Sequence, residues 1–257
     1  KENIAEPIKK ALSETTRAIS RTADIKIKFD SDSSTIGENQ VQLPRISSKI
    51  SGNEMALARG EADSIAMHLR YHDDSISKKY APSGDIALSL FNEMERARCE
   101  AAGSTVYPGA SKNIDLKIDH ESKKLMENST EAEEFPLAEA MRLFIRKITN
   151  DRDLPENAKT ALEAWENFIA KENSENVVKI NHLIHDQENF ARLSRNIIKN
   201  LGYGDQLGDD PDSSENQSEN TNEDEDETSE SSNEKDEKEP ALPEENDDQT
   251  SDPSTAD

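Results

Sequence analysis

The chain has 257 residues, 55 of them acidic and 31 basic, giving a formal net charge of −24, and it carries a single cysteine. That balance excludes the usual electrostatic route to nucleic acid, which needs clustered Lys and Arg to displace counterions from phosphates. One cysteine excludes an intramolecular disulfide, and no stretch approaches the roughly 18 apolar residues that span a bilayer, so the sequence reads as a cytoplasmic protein with no membrane segment.

The start, Lys1-Glu2-Asn3-Ile4, lacks both an apolar signal core and an initiator Met, which fits an excised or incomplete beginning. Glu6 to Ser20 has helical spacing, with Ile8, Leu12 and Ile19 on one side. Ala23 to Phe29 then alternates: Ile25, Ile27 and Phe29 point one way and Lys26 and Lys28 the other, as in a half-buried strand. Val41 to Leu43 is its expected hairpin partner, across a polar, turn-rich stretch. Beyond Pro44 the helical period takes over. Asn53 is a candidate cap for a helix reaching Tyr71, with Ala58, Ala62, Ile65, Ala66 and Leu69 on one stripe. Pro82-Ser83-Gly84 breaks the chain, Asp85 can cap the next helix, and Gly103 offers it a stop. A loop is expected from Gly103 to Lys112, followed by helices at Asn113–Glu127, Pro136–Thr149, Pro155–Lys171 and Glu175–Leu201.

The end of the chain has a different composition. Asp205 to Asp257 holds 22 acids against two lysines, Lys235 and Lys238, and so carries −20 of the charge. Its apolar content is Leu207, Ala241, Leu242 and Ala256, with no aromatic residue. A segment with so little to bury cannot offset the entropy of ordering its backbone. The expected organisation is therefore a mainly α domain over residues 1–204, with a small β-hairpin near its start, and a disordered acidic tail over 205–257.

Chemical signatures are sparse. A phosphate-cradling loop needs Gly-x4-Gly-Lys-Ser/Thr. Between Gly103 and Lys112 the glycines are six apart and Ala110 follows the second, so nucleotide hydrolysis is not expected. His68 and His72, at i and i+4 with Asp73 beside them, could reach one metal ion. Leu69 stands where a zinc protease has its glutamate, so the plain reading is a helix surface, and no metal ligand is assigned beyond these two candidates. His182 and His185 are weaker still. Cys99, between charged neighbours, reads as a small packed side chain and not as a nucleophile. Asp30-Ser31-Asp32-Ser33-Ser34 fails the Asp-x-Ser-x-Ser metal-adhesion pattern in register. No catalytic residue is expected. The acidic tail reads as a solubilising tether, or alternatively as an acidic scaffold that binds basic proteins.

Three stretches resemble the amino-terminal region of the CobT-type subunit of the aerobic, ATP-dependent cobaltochelatase. They are Arg17-Ala18-Ile19-Ser20 with the alternating Ala23–Phe29; Ala58-Arg59-Gly60-Glu61-Ala62-Asp63-Ser64-Ile65-Ala66-Met67-His68-Leu69-Arg70-Tyr71-His72-Asp73; and Glu95-Arg96-Ala97-Arg98-Cys99-Glu100-Ala101-Ala102-Gly103, continuing through Pro108-Gly109 and Asn113-Ile114. The resemblance implies an accessory, non-ATPase subunit that assembles with an AAA+ subunit and a large ring-binding subunit. That complex inserts Co²⁺ into hydrogenobyrinic acid a,c-diamide during cobalamin synthesis. ATP, Mg²⁺ and Co²⁺ are then used by the complex, with no cofactor held by this chain. Family members carry a von Willebrand A-like domain after an acidic linker, and here the chain ends within that linker. The resemblance points to helix Asn53–Tyr71 and loop Gly103–Lys112 either as partner-contact candidates or equally as parts of the packed core, with Arg59, Arg70, Tyr71 and Tyr107 the contact residues of interest.

Overall fold

Amphipathic periodicity accounts for most of the architecture. The computed structural model describes residues 4–128, 135–149 and 153–213. α1 (Ala5–Ser20) buries Ala5, Leu12, Thr16 and Ile19, and ends at Arg21 in the left-handed region (φ 59°). Three short strands follow: β1 (Lys26–Ser31), β2 (Thr35–Ile36) and β3 (Gln40–Pro44). The alternation in β1 holds, with Ile25 buried and Ile27 and Phe29 packed on the same small core as Val41, Leu43, Leu12 and Ile65. β1 and β3 do pair, but in parallel, with Ile27 opposite Val41. The hairpin is instead β2 with β3, Ile36 opposite Val41. β2 carries the chain back along the far side, so β3 enters the middle of the sheet running with β1. A tight turn between β1 and β3 could only have made them antiparallel.

α2 (Gly52–Tyr71) starts one residue before the expected Asn53. Its cap is Ser51, whose Oγ accepts from Glu54 N (3.2 Å) while Glu54 Oε2 accepts from Ser51 N (2.7 Å). This reciprocal pair satisfies two of the orphan donors at the helix start. A further helix, α3 (Asp74–Tyr80), follows at once, with Asp73 accepting from Ser75 N as its cap. α4 (Asp85–Ser104) is capped from a distance. Gln206 Oε1 accepts from Ile86 N and Ala87 N, which takes the place of the expected Asp85 cap. Gly103 does not stop α4. It is buried, and a Cβ there would lie 2.7 Å from the Met67 Sδ. Only Thr105 to Tyr107 separates α4 from α5 (Pro108–Glu127), so the expected ten-residue loop is mostly helix, with Pro108 in the first turn where its missing N–H costs nothing. Gly60 serves a close approach in the same way. A Cβ on it would meet the Asn113 carbonyl oxygen at 2.4 Å, which is what lets α2 lie against α5.

α6 (Leu137–Thr149) and α7 (Glu156–Glu172) fall where expected, with Pro155 as the residue before α7. The single helix expected from Glu175 to Leu201 is two, α8 (Ser174–Leu183) and α9 (Gln187–Ile198). Asp186 makes the break, because its side chain caps α9 by accepting from Asn189 N (3.1 Å). One π turn (Lys199–Tyr203) with Gly202 at φ 98° closes α9. The compact unit runs to Asp212. Residues 205–212, grouped with the tail on composition, are thus described and anchored: Asp212 bonds Tyr80 and Arg192, and Gln206 caps α4. Of the remainder assigned to a disordered tail, 214–257 lies outside the described residues. The fold is mainly α with one small three-stranded sheet, as the sequence leads one to expect.

Candidate functional site

α2 and α4 face each other along a seam that pairs Ser64 with Glu100 at one level and His72 with Glu95 at another, so the two helices run antiparallel. The stretches that carry the family resemblance line this seam. At its first level sits an ionic cluster. Glu100 is 1% exposed, accepts from Ser64 Oγ (2.6 Å), and pairs with Arg142 (2.7 Å) and Arg146 (3.4 Å), both on α6. Arg146 also holds Asp115 Oδ1 (2.5 Å) and donates to the Ser111 carbonyl. Burial alone would raise the Glu100 pKa. The guanidinium charges of Arg142, Arg146 and Arg96 outweigh it and hold the carboxyl well below the usual range. For Arg142, burial pulls the other way and Glu100, Glu93 and Glu139 overcome it, so the guanidinium is held charged. Glu100, Arg142 and Arg146 are each 1% exposed, and with Asp115 they tie α4, α5 and α6 together.

At the other level the seam opens. His68, in the last turn of α2, and His72, its C-cap in extended backbone, stack with ring centroids 4.2 Å apart. Opposite them α4 presents Glu95 and Cys99, one turn apart. His72 Nδ1 is 2.8 Å from Glu95 Oε1, Cys99 Sγ is 3.5 Å from the same oxygen, and His72 Nε2 is 3.3 Å from Asp74 Oδ1. Arg98 grips Glu95 through both oxygens (Nε to Oε2 and Nη2 to Oε1, each 2.7 Å) and donates to the carbonyls of Tyr71 (2.6 Å) and Ile184 (2.9 Å). Burial disfavours the Glu95 carboxylate, but hydrogen bonds from Arg98 and His72 win and lower its pKa. Burial and the neighbouring His72 charge take the His68 pKa down to about 4, so the ring is neutral at pH 7. Burial and then Glu95 push the Cys99 thiol well above its ordinary value, leaving it protonated and without the thiolate a nucleophile requires. Among the described residues, His68, His72 and Cys99 form the one cluster of three potential ligands whose donor atoms all lie within 4.8 Å of one another. The histidines open onto a cleft of about 640 Å³ that is also lined by Glu38, Leu69, Asp74 and Lys78.

The four partner-contact candidates are scattered in character. Arg59 is exposed. Arg70 is half-buried, donates to the Ile19 carbonyl (3.3 Å) and lies 5.4 Å over the Tyr71 ring. Tyr71 and Tyr107 are half-buried and pack on the main core, Tyr107 next to Val106, which is 57% exposed. His182 and His185, on and just after α8, are exposed. Sequence reasoning missed Glu95, Arg98, Glu100, Arg142 and Arg146. The one available signal was the charge-rich run Glu93 to Glu100 on a helix whose other face is apolar.

A family model described as cobalamin biosynthesis protein CobT matches residues 2–257 of the chain. No solved structure matches it.

Proposed function

The chain belongs to the CobT family of cobalamin biosynthesis proteins and so acts in making cobalamin, and from that premise we propose that it is an accessory, non-ATPase subunit of a cobaltochelatase. It works by contact with an AAA+ subunit and a large ring-binding subunit in the cytoplasm, as part of an oligomeric complex. ATP and Mg²⁺ are consumed by the motor, and Co²⁺ is the substrate delivered to the corrin. Inserting a divalent ion into a macrocycle means stripping its waters and deforming the ring, and a motor's conformational cycle can lower both barriers. A subunit that transmits such a cycle needs stiffness and contact faces, not a nucleophile.

The observation that carries this reading is the family match across nearly the whole chain. Two features support it. Glu100, Arg142 and Arg146 weld α4 and α6 into one body, and Ser64 ties α2 to it, which suits a lever more than a catalyst. Arg59 is exposed, and Val106, beside the candidate Tyr107, offers an apolar surface at the α4–α5 corner. We propose Arg59, Arg70, Tyr71 and Tyr107 as the contact set, with Arg59 and Tyr107 the most directly available.

Co-purification tests the reading. The chain, in its full-length context, should elute with the AAA+ subunit in the presence of ATP and Mg²⁺, and Arg59→Glu should weaken that association at least several-fold. Failure to associate with either the AAA+ or the ring-binding subunit rejects it. Salt-labile capture of unrelated polycations in place of those partners would favour the acidic-scaffold alternative.

A further inference from the structure

We propose that α2 and α4 together bind one borderline divalent transition-metal ion, Zn²⁺ or Co²⁺, through His68, His72, Cys99 and Glu95. The site stands on the geometry of this chain and does not depend on the docking reading.

Spacing is the first argument. Residues four apart on a helix share a face. α2 contributes His68 and, at its C-cap, His72, whose ring stacks on it, and α4 an i,i+4 pair of carboxylate and thiol, and the antiparallel seam sets the pairs opposite each other. Distance is the second. Ion-to-ligand lengths of about 2.0–2.1 Å for nitrogen and about 2.3 Å for sulfur place tetrahedral donors roughly 3.3–3.7 Å apart. Glu95 Oε1 already lies 2.8 Å from His72 Nδ1 and 3.5 Å from Cys99 Sγ, and the His68, His72 and Cys99 donors lie within 4.8 Å of one another. Side-chain rotations suffice to close the set, with the helices where they are.

Donor chemistry is the third. Two imidazoles with a thiolate and one carboxylate suit Zn²⁺ or Co²⁺, whereas Mg²⁺ and Ca²⁺ want oxygen throughout. The surroundings complete a metal site. If His72 binds through Nδ1, its proton resides on Nε2, where Asp74 Oδ1 at 3.3 Å accepts it. Carboxylates in this position commonly fix the tautomer of a ligating histidine. Arg98 donates to both oxygens of Glu95, Nε to Oε2 and Nη2 to Oε1, so metal binding through Oε1 replaces the Nη2 bond, and Nη2, 3.5 Å from Cys99 Sγ, then offers positive charge to the thiolate. The neutral His68 ring needs no deprotonation before it binds. Cys99 does: the S–H bond breaks as the S–metal bond forms and its proton leaves to solvent, and a proton on His72 Nδ1 leaves with it where that nitrogen had been donating to Glu95, so at least one proton is released for each ion bound. The cleft beside His68 and His72 is the entry path.

The test is titration of the full chain with Co²⁺ alone. The expected result is a one-to-one end point, visible d–d absorption of tetrahedral cobalt, a near-ultraviolet sulfur-to-cobalt charge-transfer band, and release of at least one proton per ion. Zn²⁺ should erase both bands. Cys99→Ser should lose the charge-transfer band, and His68→Ala should weaken binding by roughly tenfold or more, with circular dichroism confirming that the variant is folded. A flat titration overturns the proposal. So do weak octahedral bands that persist unchanged in both variants, which would place the cobalt on surface carboxylates. Because the readout is taken on the isolated chain, failure here is distinct from failure to bind the chelatase partners.

Discussion

One pair of helices, α2 and α4, meets twice with opposite outcomes. At Ser64–Glu100 the charged groups Glu100, Arg142 and Arg146 are each 1% exposed and each has an opposite charge at close range, supplied partly by α6. At His68/His72–Glu95/Cys99, about one helical turn along, the buried Arg98–Glu95 pair stands beside a cleft, with the neutral His68 ring and the protonated Cys99 thiol next to it. The difference lies in what covers the seam. Where α6 supplies Arg142 and Arg146, burial forces complete ionic pairing, because an uncompensated buried charge is costly. Where Arg98, from α4 itself, pairs with Glu95, the histidines beside that pair border an open cleft and keep lone pairs to offer. The first level is a structural lock and the second is a place for chemistry.

Breaking the lock should cost most. Glu100→Ala removes the carboxylate nearest Arg142 and one of the two that hold Arg146, leaving Arg142 with only the looser contacts to Glu93, Glu121 and Glu139 and Arg146 with Asp115. Removing one member of a buried ion pair destabilises by about 3–5 kcal/mol. Urea unfolding should show that loss, or the variant should fail to fold. A change under about 1 kcal/mol would mean that water reaches the cluster and that the contrast between the two levels is false. A comparable but smaller loss is expected from Gly60→Ala, which drives a Cβ against the Asn113 backbone on the side of α2 that faces α5. Overpacking of this kind costs about 1–3 kcal/mol. Gly109→Ala, whose Cβ would meet nothing within 4 Å, is the internal control and should be near neutral.

Acid should act on the lock in a defined direction. Glu100 has a folded pKa depressed below its ordinary 4.5, so its contribution to stability is complete above pH 4.5 and is lost as pH falls toward the depressed folded value. Carboxyl ¹³C NMR checks this. The Glu100 signal should stay on its ionised plateau through pH 4.5 and shift only as the chain unfolds. A reversible midpoint at or above 4.5 in the folded state would refute the pairing.

The amphipathic stripes and the strand alternation were legible because they depend on residues three, four or two apart, and the structure keeps them. The seam was only half legible. His68 and His72 show themselves as a local i,i+4 pair, and so could Glu95 and Cys99. That the two pairs confront each other follows from the antiparallel packing of α2 on α4, which no local pattern encodes. Glu100, Arg142 and Arg146 look like solvated charges, the ordinary place for such residues, and only partners some forty residues distant make their burial tolerable. The same holds for Gln206, read as tail, whose side chain caps α4 from 120 residues away. The break at Asp186 was missed for a local reason: an apolar stripe continues across it, and a side-chain cap stopped the helix without help from Gly or Pro.

The smallest expected effect is the one that separates the two levels most sharply. His68→Gln removes an imidazole that is neutral at pH 7, stacks on His72 and borders the cleft, and takes no part in the ionic cluster. Without metal, stability should therefore change by only about 0.5–1 kcal/mol, the scale of substitutions that leave no cavity and no stranded charge. With Zn²⁺ at about a hundred times the dissociation constant, the parent chain should gain about 2.7 kcal/mol by mass action, and the variant should gain little of it. Thermal melts of both proteins with and without Zn²⁺ read this as a metal-dependent rise in Tm that is present in one and nearly absent in the other. An equal rise in both would mean that the ion sits elsewhere, and the open end of the seam would then be no more a ligand site than the locked one.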